Sequence, residues 1–398
     1  MRILMVAPTV FFADYGSPIR ILGEIRSLQR LGHEVMVCTY KAGVDPEGVV
    51  TKRVRFGPTR QKPGFTFHRL HLDMQLMGLS ATAGFRWKPD IIHAHLHEGV
   101  AVSVFARLAN RGRQPIVLDA QGSFVDETVG RLARRNRRLI SIASWLEGMA
   151  YRKADQIITS SHGLTNRIPK EYCIQPSKVH TLLDGVDTTH FNSNLRFDAT
   201  VTNQVRSWLD IPKDAPIVTF LGLLSELQGI DLLVKAVPEV VKVFPNVHFV
   251  IGGYPDQEVY DTLAKDLGVS NNMRFAGKVD YVKQAPQLLA ASTIAVAPKR
   301  PSNQSNGKVL SYMSMGLPTV VFEDEVNRYL LGDVGLYAKE LSSASLAQVI
   351  VEALSDQSSR QRLAEAGIKR VYDHFTWDHI GRNLVHVYEL ALQHGARR

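Results

Sequence analysis

Residues 296–322, VAPKRPSNQSNGKVLSYMSMGLPTVVF, contain the pattern that decides the fold. An apolar run gives way to a polar loop, and from Lys308 apolar residues recur at helical spacing until Gly316 and Pro318. Glycine and proline end helices, and Thr319–Phe322 has the composition of a buried strand. The stretch therefore predicts strand, loop, helix and strand, which is the unit of a parallel sheet with helical crossovers.

The junction between loop and helix at Asn306–Lys308 is a candidate phosphate site. The first backbone N–H groups of a helix have no partner within the helix and lie at the positive end of its dipole. We expect Asn306 to cap the helix, Gly307 to allow close approach of a ligand, and Lys308 to add a positive charge. The alternative is an ordinary connection with a glycine in a turn.

Length and composition indicate a globular protein of two domains. The chain has 398 residues, 45% of them hydrophobic and 21% charged, and one core seldom supports that length. Two cysteines far apart in sequence argue against a disulfide framework and favour a reducing compartment. The short apolar start predicts a first strand rather than a signal peptide, and no window has the length of a spanning helix. We expect a cytoplasmic protein.

The net charge of +9 indicates attraction to an anionic partner. Nucleotide phosphates, acidic lipid and nucleic acid all fit, and charge alone does not select among them. Residues 131–138 concentrate this charge in Arg131, Arg134, Arg135, Arg137 and Arg138, and apolar residues at helical spacing accompany them: Leu132, Leu139, Ile142, Leu146 and Met149. Two interpretations stay open, a basic helix on an anionic membrane and a solvated face over an ordinary core stripe.

The first half of the chain also alternates strands and helices. A strand at Arg2–Ala7 precedes a loop with Gly16 and Ser17, and the G-x-G-x-x-G pattern of dinucleotide enzymes is absent from that loop. Residues 41–71 show little periodicity and are predicted to form a loop. The polar stretch 192–214 is predicted to be the linker between domains.

Polar side chains follow two of the predicted strands in this half. His93, His95 and His97 would share one face of a continuing strand, which suggests a metal site. No carboxylate or thiol with ligand spacing accompanies them, so we favour a strand end beside a cleft. Asp119–Ser123 after the next strand either lines that cleft or turns the chain.

Several short motifs occur in order along the chain: Gly32–Val35, Pro89–His93, Lys153–Asp155 with Ser160, Gly185–Asp187 with Phe191, Gly222 with Gly229–Asp231, Gly252–Gly253, and Tyr312, Met313, Gly316 and Pro318. As an ordered set they resemble the GT-B glycosyltransferases and, within them, the retaining enzymes of family 4.

The resemblance predicts an α/β fold of GT-B type, with two Rossmann-like parallel-sheet domains facing across a cleft. We predict an acceptor domain at 1–195, a donor domain at 196–378 and a C-terminal helix at 379–398 that crosses back to the first domain.

The resemblance implies that the second domain binds a sugar nucleotide, that the first binds the acceptor, and that no metal or other cofactor is needed. The family transfers sugar with retention, usually explained by same-face attack through an oxocarbenium-like state. The departing diphosphate gains negative charge in that mechanism, so positive donors aimed at it matter most.

The sequence departs from its relatives where the chemistry is usually assigned. The family's active-site His falls on Gln121, its diphosphate-binding Arg and Lys on Leu223 and Gln228, and its paired Glu residues on Asn303 and Ser311. Either activity is lost or the donor is bound differently. We favour an active enzyme in which Lys308 supplies the missing charge from an unburied head group, with Lys299 and Arg300 as secondary, solvent-facing candidates.

We therefore predict a cytoplasmic retaining hexosyltransferase that uses a nucleoside diphosphate sugar as co-substrate and a glycan or lipid-linked acceptor. Peripheral contact with the inner face of the membrane stays open as one interpretation of residues 131–138. The alternatives are a catalytically silent sugar-nucleotide-binding protein and a GT-B epimerase, and no nucleic-acid partner is expected. Lys308, Gln121 and Asp119 are the predicted catalytic residues; Ser17, His95 and Ser123 are predicted on the acceptor side, with no metal site. The predicted donor site contains Gly16, Gly222, Leu223, Gln228, Lys299, Arg300, Asn303, Gln304, Asn306, Gly307 and Ser311.

Overall fold

The computed structural model describes residues 1–12, 16–58, 68–109, 112, 114–128, 137–302 and 304–395. Over these ranges the chain forms two compact units, each with one parallel sheet. The first contains Met1–Asp184 and Trp377–Arg398, and the second contains Gly185–Ser302 and Asn306–Thr376. No helix within the described ranges combines the length and apolar content needed to cross a bilayer.

The first unit has a seven-stranded sheet in the order β3-β2-β1-β4-β5-β6-β7. Its strands are β1 Arg2–Ala7, β2 Glu34–Thr39, β3 Val50–Arg53, β4 Ile91–His95, β5 Ile116–Ala120, β6 Gln156–Thr159 and β7 Val179–Thr181. Its helices up to residue 172 are α1 Gly16–Arg30, α2 His68–Trp87, α3 Leu96–Ala109, α4 Phe124–Thr128, α5 Arg137–Lys153 and α6 His162–Tyr172.

Both faces of this sheet are buried, which explains why its central strands are continuously apolar. Successive side chains of a strand point to opposite faces. In β1, Leu4 and Val6 therefore join the core under α2 and α3, whereas Ile3 and Met5 join the core under α1.

The second unit has a six-stranded sheet in the order β10-β9-β8-β11-β12-β13. Its strands are β8 Ile217–Leu223, β9 His248–Tyr254, β10 Met273–Gly277, β11 Ile294–Ala297, β12 Thr319–Phe322 and β13 Gly335–Ala338. Its helices are α7 Ala199–Trp208, α8 Ile230–Val243, α9 Gln257–Asp266, α10 Gln284–Ala290, α11 Lys308–Ser314, α12 Glu325–Leu331, α13 Ser343–Ser355 and α14 Gln357–His374. The last helix, α15 Trp377–Gly395, packs on α1 of the first unit, where Ser27 Oγ donates to the Trp377 carbonyl at 2.7 Å.

Two stretches predicted to lack regular structure contain elements. Residues 41–71 include β3, a short edge strand with alternating exposure, and the start of α2 at His68. The predicted linker at 192–214 contains a 3₁₀ turn at Ser193–Phe197 and the helix α7. Polar composition concealed α7 because most of its surface faces water, while Val205 packs with Leu209 and Ile211 in the core below.

Candidate functional site

In the second unit the candidate site forms where β8 and β11 end. Gly222 and Leu223 close β8, Gln228 follows in the 3₁₀ turn Glu226–Gln228, and Lys308 begins α11. The carboxyl ends of parallel strands lie at one edge of the sheet, which is where such folds bind ligands. The buried Tyr312 fixes α11 at this edge, because its hydroxyl accepts a hydrogen bond from Leu221 N at 2.8 Å.

Lys308 is held from two sides. Its Nζ donates to Gln228 Oε1 at 2.7 Å and lies 4.3 Å from the centroid of the Phe220 ring. Burial, with the positive charge of Lys299 as a second cause, lowers the pKa of Lys308 to about 7. The predicted unburied head group is therefore wrong: the side chain is half-buried and partnered.

Gly222 makes room for this lysine. Its φ is +150°, and a Cβ added there would lie 2.6 Å from Lys308 Nζ. A side chain at residue 222 would therefore have to displace the ammonium group. Leu223, next in sequence, is half-buried and brings no charge to the site.

Lys299 and Arg300 do not point freely to solvent as predicted. Lys299 is buried, at 5% exposure. Arg300 is half-buried, and its guanidinium donates to Asp231 Oδ2 at 2.8 Å and to the Glu226 carbonyl at 2.7 Å. Arg300 therefore braces the turn that carries Gln228, while Lys299 adds positive charge near Lys308.

Asn306 is not the predicted helix cap. Gly307 occupies the cap position and α11 begins without a side-chain cap. Asn306 is buried, and its Nδ2 donates to Asn327 Oδ1 at 2.9 Å, so its amide ties the loop to α12 instead. Ser311 is buried on α11, and Gln304 and Gly307 are half-buried. Asn303 lies outside the described residues.

In the first unit, His95 and Asp119 belong to a cluster around a buried arginine that the sequence analysis did not single out. Arg20, on α1, is 3% exposed. Its Nε and one terminal nitrogen donate to both oxygens of Asp119 at 2.9 and 3.1 Å, and the other terminal nitrogen donates to Asp184 at 2.9 Å. Buried charges persist only when they are paired in this way.

The two carboxylates beside Arg20 have opposite protonation behaviour. Burial by itself would raise the pKa of Asp119, but the Arg20 guanidinium holds it well below its usual range. Glu24 lies 3.1 Å from Arg20 Nε, yet burial and the Asp119 charge raise the pKa of Glu24 well above its usual value. Arg20 therefore pairs with Asp119 through two hydrogen bonds, and the raised pKa of Glu24 favours the protonated form of that side chain.

His93 and His95 complete this cluster. Their rings stack at 4.3 Å; His93 Nδ1 lies 2.6 Å from the Tyr388 hydroxyl of α15, and His95 Nδ1 lies 3.2 Å from Asp119 Oδ2. With Glu24 and Asp119 they place four ligand atoms within 4.8 Å of one another, a set that could hold a metal ion. The absence of carboxylates assumed from sequence is thus wrong in three dimensions, although Arg20 already supplies a cation there.

His97 does not share the strand face as predicted. β4 ends at His95, and His97 lies in α3, where its Nε2 is 3.1 Å from the Tyr151 hydroxyl. Ser123 is buried as well and donates to Glu147 at 3.2 Å.

Gln121 lies directly above the buried cluster. Its Nε2 donates to Asp119 Oδ2 at 2.8 Å, and the side chain is half-buried. Asp119, His95 and Ser123 have almost no exposed surface, whereas Gly16 is exposed and Ser17 is half-buried at the start of α1. Among His95, Asp119, Gln121 and Ser123, Gln121 is therefore the residue that keeps appreciable exposed surface, and its amide is held by Asp119.

Arg20, Glu24 and Asp184 were missed by sequence reasoning. A signal did exist for the first two, because they are four residues apart and share the apolar face of α1, where charged side chains need partners. Asp184 lies in a loop and carried no comparable signal.

Two Rossmann-like units, each with one parallel sheet, have the architecture of GT-B type. Two family models match the chain: Glycosyltransferase Family 4 over residues 16–190 and Glycosyl transferases group 1 over residues 215–356. The chain therefore belongs to the group 1, family 4 glycosyltransferases, which confirms the family and fold class predicted from sequence.

Known proteins are similar along the whole chain. An uncharacterised glycosyltransferase of Methanocaldococcus jannaschii is 26% identical over 95% of both chains, and a glycogen synthase of Mycobacterium tuberculosis is 24% identical over 100% of this chain and 96% of its own. Two solved structures share the fold. Sucrose-phosphate synthase from Thermosynechococcus elongatus has a TM-score of 0.80 at 18% identity and covers 100% of both chains. Anabaena HepE, in complex with UDP and glucose, has a TM-score of 0.77 at 16% identity and covers 97% of this chain and 99% of its own.

Proposed function

We propose that this glycosyltransferase moves a hexose from a nucleoside diphosphate sugar to a glycan or lipid-linked acceptor, with retention and without a metal ion. The observation that carries the proposal is the ammonium group of Lys308, held by Gln228 beside Gly222 at the carboxyl edge of the second sheet.

Lys308 has the properties that a diphosphate partner requires. A leaving diphosphate gains negative charge in the transition state, and a preorganised cation there is typically worth roughly 3 kcal/mol. A pKa of about 7 leaves Lys308 partly neutral without ligand. A phosphate beside it would restore the proton, because an opposite charge raises the pKa of an amine.

The replaced family positions fit this assignment. Gln228 stands where the family has a cation, and its carbonyl oxygen orients Lys308 instead of contributing charge. Lys299 adds a second positive charge near Lys308 and, after burial, is the second cause of the lowered pKa of Lys308. Two lysines thus take the place of the family's Arg and Lys without recourse to a metal.

We expect the nucleotide of the donor to be a uridine nucleotide, and UDP is tested first. Anabaena HepE, whose structure has the same fold, has been solved with UDP and with UDP-glucose. The glycogen synthase relative lends weight to a hexose.

On the acceptor side, Gln121 is the group proposed to contact the sugar or the incoming hydroxyl. The Nε2 of Gln121 donates to Asp119 Oδ2 at 2.8 Å, and this hydrogen bond fixes the plane of the Gln121 amide. The Oε1 of Gln121 then accepts a hydrogen bond from the substrate, as a neutral replacement for the family's His.

A ligand panel tests the proposal. UDP, GDP and ADP are compared by thermal shift at millimolar concentration, since a ligand that binds only the folded state raises stability by mass action. The nucleotide that stabilises the protein most is then supplied as its hexose-linked donors, and NMR of the product gives the anomeric configuration. The reaction is repeated with protein dialysed against EDTA, and unchanged activity would support transfer without a metal ion. Binding without any transferred or hydrolysed sugar would indicate the silent protein, and conversion of the donor sugar alone would indicate the epimerase. No shift with any nucleotide would contradict the proposal.

A further inference from the structure

Helix α5, Arg137–Lys153, presents an apolar and basic face to solvent. Leu139, Ile142, Trp145 and Leu146 are 46%, 55%, 59% and 45% exposed. At 3.6 residues per turn these four positions share one side of the helix. Arg138 lies at the start of that side and Arg152 and Lys153 at its end, and all three are exposed.

The opposite side of α5 already packs against its own unit. Ala143, Ala150 and Tyr151 are buried. Glu147 is the one acidic residue of the helix, and it points inward, accepting hydrogen bonds from Tyr151 at 2.8 Å and Tyr172 at 3.0 Å. The core therefore does not need the outward stripe, and the described outward side chains of α5 include no carboxylate.

The neighbouring helix also exposes large apolar side chains. α3 packs against α5 and exposes Phe105 at 53% and Leu108 at 67%. Surface helices normally turn polar side chains to water, and adjoining exposed large apolar side chains mark interaction sites. We call Leu139, Ile142, Trp145 and Leu146, with Phe105 and Leu108, the α5 face.

We propose that the α5 face docks on an anionic lipid bilayer. Apolar side chains flanked by Arg and Lys are the composition of helices that lie in the bilayer interface, where the cations meet lipid phosphates. Trp145 at the centre fits, because indole rings favour that boundary. This goes beyond the sugar-transfer proposal and does not depend on it.

Charge argues against a second copy as the occupant. A two-fold contact would bring the same patch together from both chains, and Arg152 and Lys153 would meet their own counterparts. The outward side chains described on α5 include no acid that would balance these two charges. Lipid phosphates supply that negative charge.

Vesicle binding tests the proposal with a matched control. The whole protein is sedimented with vesicles of phosphatidylcholine alone and of equal parts phosphatidylcholine and phosphatidylglycerol. The α5 variant is the double substitution Ile142→Gln with Trp145→Gln. Its control is the double substitution Val259→Gln with Trp208→Gln in the second unit, where these two residues are 62% and 49% exposed. We expect binding to the anionic vesicles that falls with added salt, a loss of about tenfold or more in the α5 variant, and no change in the control.

Quenching of tryptophan fluorescence gives a second readout. A purely electrostatic contact with the lipid headgroups would leave this fluorescence unchanged. Lipids brominated in the acyl chain should quench wild type and Trp208→Phe, but not Trp145→Phe, because the Trp145 ring enters the apolar layer. Equal binding of wild type and the α5 variant would overturn the proposal. Vesicle binding without quenching would also overturn it. A wild-type protein that binds no vesicles but forms a dimer, which the α5 variant abolishes, would do so as well.

Discussion

Lys308 and Gln228 are 80 residues apart in sequence, and their side chains meet in a 2.7 Å hydrogen bond above the end of β8. The contact joins the first residue of α11 to the turn before α8, so the position of the ammonium group depends on both elements. Arg300 braces that turn from the other side through Asp231 and the Glu226 carbonyl.

Replacing Lys308 by Met should lower turnover about a hundredfold, because the neutral thioether cannot balance charge on the leaving diphosphate. Steady-state kinetics with the best donor measure the effect, and a thermal melt checks folding, since the side chain is half-buried. Lys242→Met, at an exposed residue of α8, is the control and should leave turnover unchanged. An unaltered kcat and donor affinity in Lys308→Met would place the charge elsewhere.

Stability should depend on pH through Lys308. The native lysine loses its proton near pH 7, whereas the unfolded chain keeps it until about 10.5. Between these values the unfolded state binds more protons, so this group makes the free energy of unfolding rise with pH and contributes no slope below about pH 7. Urea titrations of wild type and Lys308→Met across this range measure the difference. A difference between the two proteins that stays constant with pH would contradict the lowered pKa.

Gly222→Ala should weaken catalysis by moving Lys308 rather than by removing it. The new methyl group would lie 2.6 Å from Nζ, so the ammonium must leave its place beside Gln228. Gly268→Ala is a matched control, because that glycine has φ +69° with nothing within 4 Å of the new Cβ and reports backbone strain alone. We expect a drop of about tenfold or more in kcat/KM for residue 222 only. Equal losses in both variants would assign the effect to strain.

Arg20→Met should destabilise the first unit by about 3–5 kcal/mol, because Asp119 would be left buried without its cation. Arg30→Met removes an arginine from the same helix whose pair with Asp378 is about half exposed, and it should cost less than about 1 kcal/mol. Glu24→Gln should cost less than Arg20→Met, because the raised pKa of Glu24 favours a protonated side chain, which glutamine resembles. Denaturant unfolding compares the three variants, and a cost for Glu24→Gln as large as that for Arg20→Met would contradict the raised pKa.

Local pattern determined the elements. The strand predicted at Thr319–Phe322 and the helix predicted from Lys308 lie where the sequence places them, as does β1 at Arg2–Ala7. Periodicity and helix-ending residues act within a few positions of the chain, so the sequence alone carries that information. The ordered set of short motifs likewise predicted the family from the sequence alone.

Long-range packing determined which charged side chains pair with one another. Arg20 meets Asp119 and Asp184 at sequence separations of 99 and 164, and no local pattern connects them. The raised pKa of Glu24 and the lowered pKa of Lys308 both follow chiefly from burial, which is a property of the folded chain.

Helix α5 separates the two kinds of information most clearly. The sequence predicted an apolar stripe through Leu139, Ile142 and Leu146, with an ordinary core stripe as one interpretation. That interpretation is wrong for these residues, since all three are exposed and the helix packs through Ala143, Glu147 and Tyr151 instead. Periodicity determines which side chains share a face, but only the tertiary structure determines whether the protein or its surroundings cover that face.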